Sequence, residues 1–375
     1  MTWLFLSSGL FLGWSLGAND AANLFGTAVG TKMLRFRTAA LVASVFVVIG
    51  AVSGGHGATR TLGRLGAIDA IAGAFTVALA AALAVVLLLR RTGLPVSITQ
   101  AIVGAIVGWN LFTGRPTDMK ALAQLLSSWL ASPLLSGTIA AFLFLGMRAA
   151  IPRLKVHLLE VDVLTRVGLL VVGAFAAFSL GMNDIANVMG VFVRVSPFPE
   201  STSLGPFRAT SVEMLFLLGG LAIATGIVTY SERIMLRIGT GLTSLSPLAA
   251  LLVVLSSGTV QFLFGSPGLQ QVLHARGLPG WPLVPVSATQ AVVGAILGIS
   301  LVRKSGIRVR ELGKIALGWV AAPLAAMLIA LVGLYIVRNV FELPVSADSP
   351  ARKAASAGAS TPAGPGGANP VSSAR

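Results

Sequence analysis

The chain has 375 residues, of which 55% are hydrophobic and 10% charged, against roughly 25% charged in ordinary soluble domains. Its mean hydropathy is +0.89. It therefore lacks the polar residues to cover a soluble fold, which excludes a soluble enzyme, a nucleic-acid-binding domain and a disulfide-held secreted scaffold. Cysteine is absent, and the net charge of +15 sits in short loops between apolar runs. There it marks topology and contact with anionic lipid, with no nucleic-acid partner expected.

A spanning helix uses about 20 apolar residues. Runs of that kind fall in order at 3–29, 38–54, 68–89, 95–112, 121–147, 167–193, 211–230, 246–265, 285–302 and 315–337. Helix is the expected structure of each, because backbone polar groups in lipid must be satisfied within the segment. No basic leader precedes Lys32, so the first run reads as a mature membrane helix rather than a cleaved signal. His56, His157 and His274 lie far apart in the sequence, and no histidine metal cluster is expected. The stretch 151–165 reads as a cytoplasmic linker. The stretch 341–375, rich in Ala, Ser, Gly and Pro, reads as a disordered tail.

The chain repeats itself. GANDAANLFG at 17–26 returns as GMNDIANVMG at 181–190, PVSITQAIVGAIVG at 95–108 as PVSATQAVVGAILG at 285–298, and SWLASP at 128–133 as GWVAAP at 318–323. The repeat unit is five runs long. The expected fold is therefore an all-α polytopic membrane protein built from two repeats, 1–150 and 166–340. An odd number of crossings makes these inverted in topology. With the N-terminus outside, the inner loops hold more than twice as many Lys and Arg as the outer ones, which supports that orientation in the cell membrane. The runs at 95–112 and 285–302 are short, and re-entrant hairpins are the alternative there.

Asp20 and Asp184 are the acidic residues deep inside apolar runs, at equivalent repeat positions. A carboxylate in a bilayer costs about 2.5 kcal/mol upward unless compensated. Each lies in an NDxxN motif (Asn19, Asp20, Asn23 and Asn183, Asp184, Asn187), whose spacing sets both amides beside the carboxylate. The flanking Gly17 and Gly181 allow a break in the helix or close backbone approach, and of the two a broken helix is the expectation over plain helix packing. Carboxylate, amide and freed carbonyl oxygens suit a hard monovalent cation. The PVSxTQ motif places Ser97, Thr99 and Gln100, and again Ser287, Thr289 and Gln290, at a helix start. Its free amides and hydroxyls favour an oxyanion. An anion beside two aspartates calls for a co-bound Na⁺ or H⁺, which implies symport. No other cofactor is expected.

Together these residues resemble the signatures of the inorganic phosphate transporter (PiT) family, over about residues 12–323. Lys32, SWLASP and RIGTGLTSLSP at 237–247 also fit. The resemblance implies cation-coupled uptake of inorganic phosphate by alternating access around a central site. On the family pattern, Ser97, Thr99, Ser287 and Thr289 would bind phosphate, and the six NDxxN residues would bind cations. Gln100 and Gln290 stand where the family has His, and Val47 and Val48 lie where a Glu is usual. Glutamine cannot titrate, which favours Na⁺ over H⁺. A sulfate permease of the same superfamily is the alternative substrate class. An intramembrane aspartyl protease is a remoter rival and would need its two carboxyls within hydrogen-bond reach; a channel would lack buried half-helix starts. The sequence leaves the oligomeric state open, a homodimer included. Arg115, Lys120, Arg194 and Arg208 fall in outer loops, where they anchor the interface or draw anions. Gln261 is expected to bond across helices.

Overall fold

The computed structural model describes residues 2–92, 96–150, 153, 158–204, 207–238, 245–304, 306 and 308–347. The other residues, among them Pro95, His157 and the tail from 348, lie outside the described residues. After a 3₁₀ turn come α1 (Ser7–Gly30), α2 (Phe36–Gly54), α3 (His56–Leu65), α4 (Ile71–Thr92), α5 (Ile98–Thr113) and α6 (Met119–Ala150). The second half supplies α7 (Leu158–Met189), α8 (Ser211–Ile238), α9 (Pro247–Gly265), α10 (Pro267–Ala275), α11 (Ala288–Arg303) and α12 (Val309–Asn339). All ten apolar runs are thus helical. The short helices α3 and α10 were not expected, because neither has an apolar run. A two-stranded hairpin, β1 (Ser201–Leu204) with β2 (Phe207–Thr210), joins α7 to α8, paired antiparallel from Ser201↔Thr210 to Leu204↔Phe207.

Among the described residues, seven helices are long and apolar enough to cross a membrane. This is fewer than ten runs would suggest. The 24 residues of α1 are long enough, at about 1.5 Å each, but its Ser, Asn and Asp residues lower its hydropathy. The 16-residue α5 and α11 reach only about 24 Å. Each is preceded by non-helical chain, at Val96–Ser97 and from Leu278 to Ser287. At Val96–Ser97 and Val284–Ser287 this non-helical entry is buried in protein, where non-helical backbone is permitted at membrane depth.

The two halves interlock. α1 packs on α8 and α7 on α2; α5 packs on α12 and α11 on α6. Each of these contacts joins one half to the other, so the repeats are not side-by-side bodies. Small residues allow the close approach. A Cβ at Gly17 would meet the backbone of Ile223, and one at Gly181 that of Val47. This corrects the expectation of a break at these glycines: α1 and α7 run unbroken through both NDxxN motifs, and the glycines serve helix packing. The same correspondence holds further on. A Cβ at Gly104 would meet the backbone of Pro323, and one at Gly294 that of Pro133. Those prolines lie inside α12 and α6, where a missing N–H leaves a carbonyl free.

Contacts between chain segments show which ends share a side. Trp3 meets Phe198 at 4.9 Å between ring centroids, and Phe5 meets Phe75 at 5.7 Å. Asp69 pairs with Arg115 at 2.6 Å and accepts the amide of Ala347 at 2.9 Å. Thr61 donates to the carbonyl of Leu283. At the other side, Arg166 donates to the carbonyl of Met33. The end of α5 therefore lies on the side from which the chain leads into α11.

Two boundaries differ from expectation. α7 begins at Leu158, so its first turns take up part of 151–165. Residues 341–347, assigned to the tail, fold back on the first half. Val345 is buried, and its carbonyl accepts the indole N–H of Trp109 at 2.9 Å.

Candidate functional site

The polar residues singled out in the NDxxN and PVSxTQ motifs are all interior. None of the twelve residues in the NDxxN and PVSxTQ motifs is more than 7% exposed. They come together because the extended leads into α5 and α11 lie against the middles of α1 and α7. The Nδ2 of Asn19 donates to the carbonyl of Val96 at 3.0 Å. Asn183 donates to the carbonyl of Val284 at 3.3 Å and accepts the amide of Val286 at 2.9 Å. These backbone anchors were not singled out. The signal that points to them is that a buried extended segment must find side-chain partners for its backbone.

Each carboxylate accepts from the asparagine three residues on. Asp20 Oδ1 accepts from Asn19 at 3.1 Å, Asn23 at 2.8 Å and Thr289 at 3.4 Å. Asp184 Oδ1 accepts from Asn187 at 2.7 Å, and the same amide donates to Thr99 Oγ1 at 2.9 Å. Both motifs thus reach across to a threonine on the other half's short helix. Each carboxylate keeps its Oδ2 free of hydrogen bonds among the described residues.

The surplus of acceptors is the feature of chemical weight. Asp184 Oδ2, Asn19 Oδ1, Asn187 Oδ1, Gln100 Oε1 and Gln290 Oε1 are buried with no hydrogen-bond partner. Buried oxygens left without donors cost free energy, and cations relieve that cost by taking oxygen ligands. Donors sit beside them. Ser97 and Ser287 each cap their helix, accepting the amides of Gln100 and Gln290 at 3.3 Å, and so keep their own hydroxyl protons free to donate. The first intrahelical bonds of α5 and α11 come from Ala101 and Ala291. The earlier amides at Ile98, Thr99, Ala288 and Thr289 have no partner within their helix. Together with the positive ends of two helix dipoles, these groups suit an anion.

Other candidates lie elsewhere. Gln261 is buried, but it donates to the carbonyl of Ser257 on its own helix rather than across helices. The i to i+4 spacing made that bond available. Arg115 is held by Asp69 and lies 5.2 Å over the Trp109 ring. Lys120 is exposed, Arg194 lines a separate cavity described below, and the side chain of Arg208 lies outside the described residues.

An all-helical, multi-pass membrane protein whose polar residues converge on a duplicated buried centre is the class this architecture defines. The model of a family described as the phosphate transporter family matches residues 16–269 and 280–360, and the chain belongs to that family of transporters, not to a family of enzymes. Similar proteins include a provisionally named phosphate permease of Methanocaldococcus jannaschii, 26% identical over 84% of this chain and 91% of that one. Another from Pyrococcus abyssi is 26% identical over 88% and 97%. One from Haemophilus influenzae is 23% identical over 91% and 97%. A solved structure described as the sodium-dependent phosphate transporter has the same fold, with a TM-score of 0.68 at 22% identity over 90% of this chain and 98% of that one.

Proposed function

We propose that the protein is a symporter of inorganic phosphate driven by Na⁺, working by alternating access around the centre formed by α1, α5, α7 and α11. The observation that carries this reading is the pair of exchanged contacts, Thr289 to Asp20 and Asn187 to Thr99. They set a cation-binding group of one half against an anion-binding group of the other. Asn19, Asp20, Asn23, Asn183, Asp184 and Asn187 supply oxygen ligands for Na⁺. Ser97, Thr99, Gln100, Ser287, Thr289 and Gln290, with the free amides of α5 and α11, hold the oxyanion. The name of the related solved structure, which includes sodium dependence, supports the choice of ion. So does the presence of Gln100 and Gln290, which bind without titrating.

The two halves are inverted repeats in this reading, since α5 ends on the side from which the chain enters α11. The N-terminus lies outside the cell membrane, by the distribution of Lys and Arg. Because the halves interlock, movement of one group of helices drawn from both halves against another then exposes the same centre to either side. The deciding experiment is uptake of labelled phosphate and labelled sulfate into proteoliposomes, with Na⁺ and pH gradients imposed separately. Phosphate accumulation driven by inward Na⁺ is expected. Accumulation driven by a pH gradient alone, or preference for sulfate, overturns the corresponding half of the proposal.

A further inference from the structure

A cavity lies apart from the twelve motif residues. Its volume is about 730 Å³, and it is lined by α3 and the residues just after it, the 3₁₀ turn Gly190–Val195 that follows α7, the chain leading into α11, and single residues of α6, α8 and α10. His56, Arg60, Arg64 and Arg194 face it, and no Asp or Glu lines it among the described residues. Arg60, Arg64 and Arg194 are exposed and make no ion pair with any described residue. Arg64 is aimed by Thr61, to whose hydroxyl it donates at 3.2 Å. Thr61 in turn donates to the carbonyl of Leu283 at 2.7 Å. Glu213, which interacts electrostatically with His56, is already engaged by the amide and hydroxyl of Thr210.

The cavity adjoins the central site. Gly190 and Val191 in its wall come just after Asn187 on the chain, and Leu283 precedes Val284, whose carbonyl accepts from Asn183. Arg60 and Arg64 stand at i and i+4 on α3, where like charges repel. A third arginine in the same concavity adds to that repulsion. A cavity of one sign with low-dielectric walls focuses its field on a counter-ion, and arginine forks match the oxygens of a tetrahedral oxyanion.

We propose that this cavity is a vestibular phosphate site, in which Arg60, Arg64 and Arg194 capture a phosphate ion before it passes to the centre. The proposal rests on the carrier reading only for the identity of the anion. The protein in phosphatidylcholine nanodiscs is treated with phenylglyoxal, and modification of each arginine is followed by peptide mass spectrometry. Inorganic phosphate should slow labelling of Arg60, Arg64 and Arg194 several-fold and leave Arg233, outside the cavity, unchanged. The same protection is expected in Ser97→Ala/Ser287→Ala protein, so failure of the central site does not mask this one.

In transport, Arg64→Gln and the triple Arg60→Gln/Arg64→Gln/Arg194→Gln variant should raise the phosphate KM, the triple variant by about tenfold. The triple variant should also flatten the dependence of uptake on ionic strength. Labelling indifferent to phosphate overturns the proposal. So does protection that appears in phosphatidylglycerol nanodiscs without added phosphate, because the occupant is then a lipid headgroup.

Discussion

Replacing Asp184 by Asn tests the central charge balance with the least disturbance of shape. The side chain is 2% exposed. Its Oδ1 takes one bond from Asn187 at 2.7 Å, while its Oδ2 has no partner. Asparagine fills the same volume and keeps an acceptor at Oδ1, but it removes the negative charge and puts an N–H₂ group where an oxygen ligand stood. At an effective dielectric of about 20, a unit charge about 4 Å away contributes about 4 kcal/mol. At 1.4 kcal/mol per tenfold, that is about three orders of magnitude in Na⁺ affinity. Asp20→Asn removes the same charge, although the three donors on Oδ1 hold its shape more firmly. Each variant is reconstituted in proteoliposomes, and phosphate uptake is measured against Na⁺ concentration, with thermal unfolding in detergent as the folding control. Na⁺-driven uptake should be lost at concentrations that saturate the parent protein. A wild-type half-saturating Na⁺ concentration in both variants would refute the reasoning.

Ser97→Ala and Ser287→Ala each remove a hydroxyl donor and the cap on Gln100 or Gln290. Phosphate KM should rise by the equivalent of about 1–3 kcal/mol for each bond left unmade, and unchanged KM in both would remove these serines from the anion site. Thr99→Val and Thr289→Val cut the bonds between cation and anion groups while preserving volume. Parent protein should show phosphate tightening Na⁺ binding, and Na⁺ tightening phosphate binding, by equal factors. Both factors should shrink together in these variants, and a coupling left at the parent value would count against the exchanged contacts. Gly104→Ala should lower the unfolding temperature in detergent, because its Cβ meets the Pro323 backbone. Overpacking of this kind costs about 1–3 kcal/mol. Gly146→Ala, which faces open space, should leave the unfolding temperature near that of the parent, and equal stability of the two variants would contradict the packing.

Much of the fold could be read from the chain because lipid allows few solutions. A long apolar run has little choice but helix, so ten runs gave ten helices. The repeat was legible because both NDxxN and both PVSxTQ motifs are nearly literal copies. What periodicity could not show was partner choice. Nothing in the order of the runs says that α6 packs on α11 rather than within its own half. That choice is made by the small residues along the interface, such as Gly137, whose Cβ would meet the backbone of Gly294. The amphipathic α3 was invisible for a different reason. Its buried residues, among them Ala58, Leu62 and Leu65, are too few to form an apolar run. Glycine also misled. In water, Gly17 and Gly181 would weaken a helix, whereas in a membrane they let two helices touch.

The candidate site was legible as a set of residues but not as a set of bonds. Sequence spacing put Asn23 beside Asp20 and Asn187 beside Asp184, since i to i+3 neighbours share a helix face. It could not bring Thr289 to Asp20 across 269 positions, or Asn187 to Thr99 across 88. Those contacts decide the physics. If each half had bound its own aspartate to its own threonine, cation and anion could load each half independently. Because each tie crosses between the halves, a shift of α5 and α11 away from α1 and α7 loosens Asp20 from Thr289 and Asn187 from Thr99 together. On the proposed symport reading, a cation that fixes the carboxylate also fixes the helix start that receives the anion, and the coupling of the two would follow from connectivity rather than from any single strong bond.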